Sequence, residues 1–458
     1  MAFRVIDPAT GRTVKEQPLD SEAELEARVR SAVEARRRWE GWSFEERARV
    51  LEALAGLLED DADRWGRLMA SEMGKPLAQG RKEAEKCAWA ARYYAEHGAA
   101  HLADEPVEVE GARARVVYRP LGVILSIMPW NFPFWQALRF GCPALMAGNA
   151  VLLKHAPNVP GCAAALEELW VEAGAPPGLF QAVYTDHEGA GALMARPEIR
   201  AVTFTGSTEG GREVAASAGR ALKKTVLELG GSDPYLVLAD ARVEEAARVA
   251  ARARLVNSGQ SCVAAKRFVV VEEVLEAFQE ALVAQMRKAV VGPPLASAST
   301  VGPLAREDLR DTLHRQVTES VEAGARLLLG GEVPEGRGWY YPPTVLADVR
   351  KGMPAADEEL FGPVAAILPV GSTEEAVQVA NDSPWGLGAA VFTADQALGE
   401  RLAREELEAG IVSVNESVAS DPRLPFGGVK DSGYGRELGR AGILEFVNVK
   451  TLRVALEE

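Results

Sequence analysis

Apolar residues recur at helical spacing through residues 21–102, after a short strand-like opening. Val50, Leu51, Leu54, Leu57 and Leu58 share one face, so the block reads as a series of amphipathic helices that serve packing and not chemistry. From Val123 the period changes. Short apolar runs at 123–128, 151–153, 180–184, 201–205 and 225–228 alternate with helical segments, which predicts a parallel sheet with helices on both faces. Beyond Gly231 a second α/β series follows, with strands expected at 268–271, 327–329, 364–368, 389–392 and 411–414. The fold class is therefore α/β, with two doubly wound domains. Residues 106–120 alternate strictly around Gly111, a β-hairpin that interrupts the first domain and whose open edges need a partner strand.

At 458 residues the chain exceeds one ordinary core, and two or three domains are expected. Hydrophobic residues at 47 % and charged residues at 26 % fit a soluble globular protein. The net charge of −15 repels phosphate backbones and anionic membrane surfaces, so neither nucleic acid nor membrane is an expected partner. Cys87, Cys142, Cys162 and Cys262 form no CxxC pair and have no histidine at ligand spacing. That argues against a disulfide framework and a metal site, and for a reducing, cytoplasmic setting. The first residues carry no secretory pattern, and no apolar run reaches the ~18 residues of a membrane span.

Two short segments carry chemistry. Residues 226–234, VLELGGSDP, set Glu228 in an apolar strand that ends at a glycine pair; residues 257–262, NSGQSC, present Cys262 from a small polar loop after a helical run. A thiolate that attacks a carbonyl carbon needs a carboxylate to activate water for release of the acylated sulfur. From residue chemistry alone Cys262 is either a buried structural thiol or a nucleophile. Glu228 is either a solvated strand-end carboxylate or a base whose pKa desolvation would raise. Asn131, in PWNFP at 129–133, is a turn residue or an amide donor to an oxyanion. The glycine-rich segment 204–213 lacks GxGxxG spacing, yet it follows a strand and opens a helix, where free N–H groups suit a pyrophosphate. Lys154 ends an apolar strand; Arg139 lies in a helical segment among Trp135, Leu138 and Phe140, where a cation wants an anion.

With PFGGVKDSGYGRE at 425–437, these motifs closely resemble the aldehyde dehydrogenase superfamily nearly end to end. The resemblance implies a nicotinamide-dependent aldehyde oxidiser with Cys262 as nucleophile, Glu228 as deacylating base and Asn131 as oxyanion donor beside the N–H of Cys262. It places the cofactor on Trp130, Lys154, Pro157, Gly206, Ser207, Gly211, Glu359 and Phe361. Many NAD-preferring relatives have a glutamate where Pro157 stands, so loss of that repulsion implies use of NAD or NADP. Glu228 favours hydrolysis over transfer to coenzyme A, whose users lack this carboxylate. Arg139, with Trp135 and Ser420, resembles the substrate contacts of succinate-semialdehyde dehydrogenases. The small-molecule substrate implied is thus a short semialdehyde; a broad-specificity or glutarate-semialdehyde enzyme is the alternative. Val256 and Ala264 depart from subgroups with a second arginine or a second, redox-active cysteine. The implied domains are 1–106 with 121–230 for the dinucleotide and 231–446 for catalysis. Residues 107–120 and 447–458 would form a small β oligomerisation element of a homodimer or homotetramer.

Overall fold

The computed structural model describes residues 2–456. Four helices, Glu22–Glu40, Phe44–Asp60, Ala62–Met73 and Leu77–His101, occupy the block of 3.6-residue periodicity. Two begin with capping boxes, in which Ser21 and Ser43 accept from the N–H groups of Glu24 and Glu46 while those glutamates accept in return. Val50, Leu51, Leu54 and Leu58 are buried; Leu57 is half-buried.

The first large sheet has six strands in the order Gly433–Tyr434, Lys224–Glu228, Ile199–Thr205, Val123–Met128, Ala150–His155, Phe180–Ala182. All neighbours are parallel except Gly433–Tyr434, which a late loop lays antiparallel against Leu227 and Glu228. The chain runs outward from Val123–Met128 to one edge and returns on its other side through Ile199–Thr205. That reversal opens a crevice at the carboxyl ends of two adjacent strands, where doubly wound sheets bind ligands. Trp130, Asn131 and Gly206 follow those two ends.

Seven strands form the second sheet, in the order Arg326–Leu329, Thr344–Ala347, Val364–Val370, Ala265–Val271, Asp233–Val237, Gly388–Phe392, Ile411–Val414. Two of them escape the sequence reading. Asp233–Val237 opens with Asp-Pro, a turn signal, yet Asp233 is buried and accepts from Gly388 N–H at 3.1 Å. Burial pushes that carboxyl up to about 7. Thr344–Ala347 is four residues long, too short to show a period.

The hairpin forms as strands Glu105–Val109 and Ala112–Pro120, with Gly111 at φ +69° in its turn. Its partner is the chain's own Val447–Ala455, paired antiparallel from Val447 to Ala455. Residues 1, 457 and 458 of the expected domain ranges lie outside the described residues. No helix among the described residues is long and apolar enough to cross a membrane.

Candidate active site

The helix Val243–Leu255 leads into a loop whose next residues are left-handed, with φ of +52° at Asn257, +57° at Ser258 and +78° at Gly259. Such a run costs free energy unless its surroundings fix it. Asn257 donates from Nδ2 to the carbonyls of Asn131 at 2.6 Å and Gln260 at 3.0 Å, and its N–H donates to Gln79 Oε1 at 2.7 Å. Ser258 Oγ accepts from Gly302 N–H, and Gln260 Oε1 from Ala305 N–H, both at 2.9 Å. At Gly259 a Cβ would stand 2.2 Å from the carbonyl carbon of Gly362, so only glycine lets these two loops touch. Cys262 follows three residues later, held by its carbonyl, which accepts from Lys266 Nζ at 2.7 Å.

Glu228 closes the strand Lys224–Glu228, pinned by Gly206 N–H on its own carbonyl and by Leu229 N–H on the carbonyl of Ser432. Its carboxylate faces the thiol. Burial first, then the Glu228 charge, hold the Cys262 thiol well above the ordinary value, against Arg139 and Lys266. Glu228 Oε1 is buried without a partner among the described residues, an acceptor with capacity for water.

Asn131 Nδ2 donates to the Gln260 carbonyl at 3.2 Å, which fixes the amide over the residues leading to Cys262. One of its two N–H groups is thereby used. The Cys262 N–H has no backbone acceptor among the described residues.

Arg139, the expected substrate contact, lines the cavity that opens on Cys262 and also meets two carboxylates. It is 2 % exposed, donates from Nη2 to Glu228 Oε2 at 3.0 Å and ion-pairs through Nε with Glu437 at 2.5 Å. Burial pushes Glu437 up to about 7, with Arg139 opposing and Glu228 adding. Two carboxylates share this guanidinium through Nη2 and Nε, while Nη1 has no hydrogen-bond partner among the described residues. Sequence reasoning missed Glu437, which lies 298 positions from Arg139 and meets it only through the late loop.

A cavity of about 700 Å³ opens on Cys262 and is lined by Trp135, Arg139, Ser420, Phe426 and Lys86, among others. Ser420 lines the same cavity as Cys262. The helical block expected to serve packing alone is a correction, because Leu77–His101 supplies Gln79, Lys82, Glu83 and Lys86 to this wall. Glu83 also ion-pairs with buried Lys75 and accepts the N–H groups of Phe134 and Trp135, setting the start of helix Pro133–Met146. An i, i+4 spacing of lysines on a helix carries no signal of this kind.

Of the expected cofactor residues, Trp130, Lys154, Pro157, Gly206, Ser207 and Gly211 lie at or after carboxyl ends of strands in the first sheet, while Glu359 and Phe361 lie between Pro354–Asp357 and Val364–Val370 of the second series. Ser207 caps the helix Thr208–Arg220, accepting from Gly210 N–H at 3.2 Å, and the N–H groups of Thr208 and Glu209 have no backbone acceptor among the described residues. Side chains are excluded here: a Cβ on Gly206 would meet the Phe204 ring at 2.5 Å, and one on Gly211 would meet Leu229 at 2.4 Å. Lys154 is buried at its strand end, and burial pulls its ammonium below the ordinary value with Asp186 opposing. Pro157 is exposed beyond it. Glu359 accepts from Gly231 N–H at 3.2 Å and lies 3.5 Å from Lys266, while Phe361 packs edge-on to Trp130 at 5.8 Å. Lys266 links the two sides, bonding the Cys262 carbonyl and facing Glu359; it too went unread in the sequence.

Residues 1–452 match the sequence profile of the aldehyde dehydrogenase family. The probable NADP-dependent succinate-semialdehyde dehydrogenase of Synechocystis sp. is 47 % identical over 455 residues, spanning 99 % of this chain and all of the relative. The Escherichia coli NAD(P)-dependent succinate semialdehyde dehydrogenase Sad is 46 % identical, spanning 98 % and 96 %. Among solved structures, the succinic semialdehyde dehydrogenase of Streptococcus pyogenes in complex with NADP superposes with a TM-score of 0.97 at 35 % identity, covering 99 % of this chain and 100 % of its own.

Proposed function

The chain belongs to the aldehyde dehydrogenase family, and from that premise we propose that it oxidises succinate semialdehyde to succinate with NAD or NADP. The observation that carries the chemistry is a buried thiol, Cys262, beside the carboxylate of Glu228, one oxygen of which has no partner among the described residues. Full-length relatives named for this substrate and for NADP or NAD(P) support its identity.

Cys262 Sγ adds to the aldehyde carbon and gives up its proton, with Glu228 the carboxylate beside it. As the carbonyl π pair moves to oxygen, Asn131 Nδ2–H and the Cys262 N–H hold the developing oxyanion. The dinucleotide, when bound, supplies the hydride acceptor. After oxidation a thioester remains on Sγ; Glu228 takes a proton from water, whose oxygen attacks the acyl carbon and frees the acid and the thiol. The first turn after Ser207, with Gly206 and Gly211, suits the pyrophosphate; Lys154 suits the adenosine ribose or its phosphate, and Glu359, Phe361 and Trp130 the nicotinamide side. Exposed Pro157 puts neither charge nor donor at the 2′ position.

A homodimer or homotetramer is part of the proposal. Val449, Leu452 and Val454 are 60 %, 40 % and 44 % exposed on the strand Val447–Ala455, an open sheet edge that suits a second copy. A cytoplasmic setting fits the four free thiols.

The test is nicotinamide reduction by purified protein with succinate semialdehyde or propanal, using NAD and NADP in parallel, beside Cys262→Ala. Preference for the semialdehyde and loss of turnover in the variant are expected. Equal rates with propanal would make this a general aldehyde oxidiser; turnover surviving in Cys262→Ala would end the covalent mechanism.

A further inference from the structure

The strand Ala265–Val271 carries a lysine into the interior beside the nucleophile. Lys266 is fully buried, and an ammonium has three N–H donors to satisfy. Three carbonyls of the segment that carries Cys262 accept from it, those of Cys262 at 2.7 Å, Ser261 at 3.0 Å and Ala264 at 3.3 Å. Its charge is met by Glu359, whose Oε1 lies 3.5 Å from Nζ.

The glycine pair after Glu228 makes room for this contact. A Cβ on Gly230 would stand 2.8 Å from Glu359 Oε2, and one on Gly231 would stand 3.0 Å from the Cys262 carbonyl oxygen. Without side chains there, the carboxylate and the nucleophile loop approach the end of the same strand. A buried ammonium is costly unless it is paired and hydrogen-bonded. Burial pulls Lys266 below the ordinary value, with Glu359 and then Asp233 opposing; Arg254 adds to the fall, and Cys262 also opposes it. Asp233 faces it from the neighbouring strand Asp233–Val237. Arg254, on helix Val243–Leu255, donates from Nη2 to the Gly259 carbonyl at 2.5 Å.

We propose that Lys266 is a positioning residue shared by the nucleophile and the nicotinamide site: its three N–H donors fix the loop that carries Cys262, and its charge fixes Glu359. The second half rests on the reading above, in which Glu359 holds the nicotinamide side of the dinucleotide. One side chain thereby keeps the sulfur and that carboxylate in a constant relation, as attack and hydride transfer at one carbon require. Its charge also reaches the sulfur. Against burial first and the Glu228 charge next, Arg139 and Lys266 favour the thiolate of Cys262.

The test reads two quantities in wild type, Lys266→Met, Glu359→Gln and the double variant. One is the pH profile of Cys262 alkylation by uncharged iodoacetamide, with the label assigned by peptide mass spectrometry; the other is NADPH affinity, from its fluorescence. In Lys266→Met the alkylation profile is expected to move to higher pH, with the rate near pH 8 down about threefold to thirtyfold. A loop that is merely loosened would change the rate alike at every pH. In Glu359→Gln the profile moves to lower pH, because the charge that offsets the ammonium is gone while three carbonyls still hold it protonated. NADPH affinity falls about tenfold in each single variant, and the double variant binds no more weakly than the weaker single, since both remove one link. A Lys266→Met profile within about 0.3 pH of wild type, or additive losses of affinity, overturns the assignment. If Lys266→Met does not fold, Glu359→Gln decides, and a profile that stays or moves to higher pH there overturns it. If Glu359→Gln keeps wild-type affinity, the nicotinamide reading of Glu359 fails with the second half of the proposal; if Glu359→Gln loses affinity while Lys266→Met keeps both affinity and profile, only Lys266 fails.

Discussion

Arg139 donates to Glu228 across 3.0 Å, with both side chains 2 % exposed. A cation that one sequence segment offers thus meets a carboxylate from another, and the bond orients Glu228. Arg139→Met strands two buried carboxylates, and removal of one partner of a buried pair costs about 3–5 kcal/mol. Urea unfolding should show that loss. The folded fraction is also expected to lose preference for succinate semialdehyde over propanal, because Arg139 lines the cavity that opens on Cys262; an unchanged preference would mean that this charge serves Glu228 alone.

Glu228→Gln keeps the shape and removes the base. Turnover is expected to fall about 10²-fold to 10⁴-fold, and intact-protein mass spectrometry during turnover should find the acyl group on Cys262. If turnover is preserved and no adduct accumulates, water activation lies elsewhere.

Glu437 makes a pH prediction. Its folded pKa of about 7 lies above the ordinary 4.5, so between those values the folded chain holds a proton that the unfolded chain has lost. Stability from this group is therefore present below about 4.5, declines as pH rises through 7 and then levels. Glu437→Gln removes the slope: relative to wild type, the variant should gain up to about 3 kcal/mol between pH 4.5 and pH 8. Urea midpoints at the two pH values measure it, and a pH-independent difference would place the proton on another group.

Gly259→Ala sets a side chain in a left-handed position against Gly362. Strain of about 1–3 kcal/mol is expected from the backbone alone, with Cys262 displaced three residues on. Displacement on the order of 1 Å costs about 10²-fold in rate. Slower alkylation of Cys262 together with a lower kcat would show it; wild-type alkylation and kcat would mean that the loop yields without moving the sulfur.

The alternation of short apolar runs with helical segments determined the α/β class, because a strand buried on both faces must be apolar throughout and each parallel crossover needs a helix. It missed the strand Asp233–Val237, where burial and the Gly388 N–H stabilise an aspartate that reads locally as a turn. The motif segments likewise singled out Cys262, Glu228 and Asn131, since the strand end or loop that presents each of them is written in adjacent residues. What the sequence could not convey is which charges meet. Arg139 meets Glu437 across 298 positions, and Lys86 meets Ser420 across 334. Those pairings depend on where the late loop crosses the helices Leu77–His101 and Pro133–Met146. A charge is available to a ligand only when no nearer group has neutralised it, and that balance is set by distance in the folded chain, so the tertiary structure alone decided it.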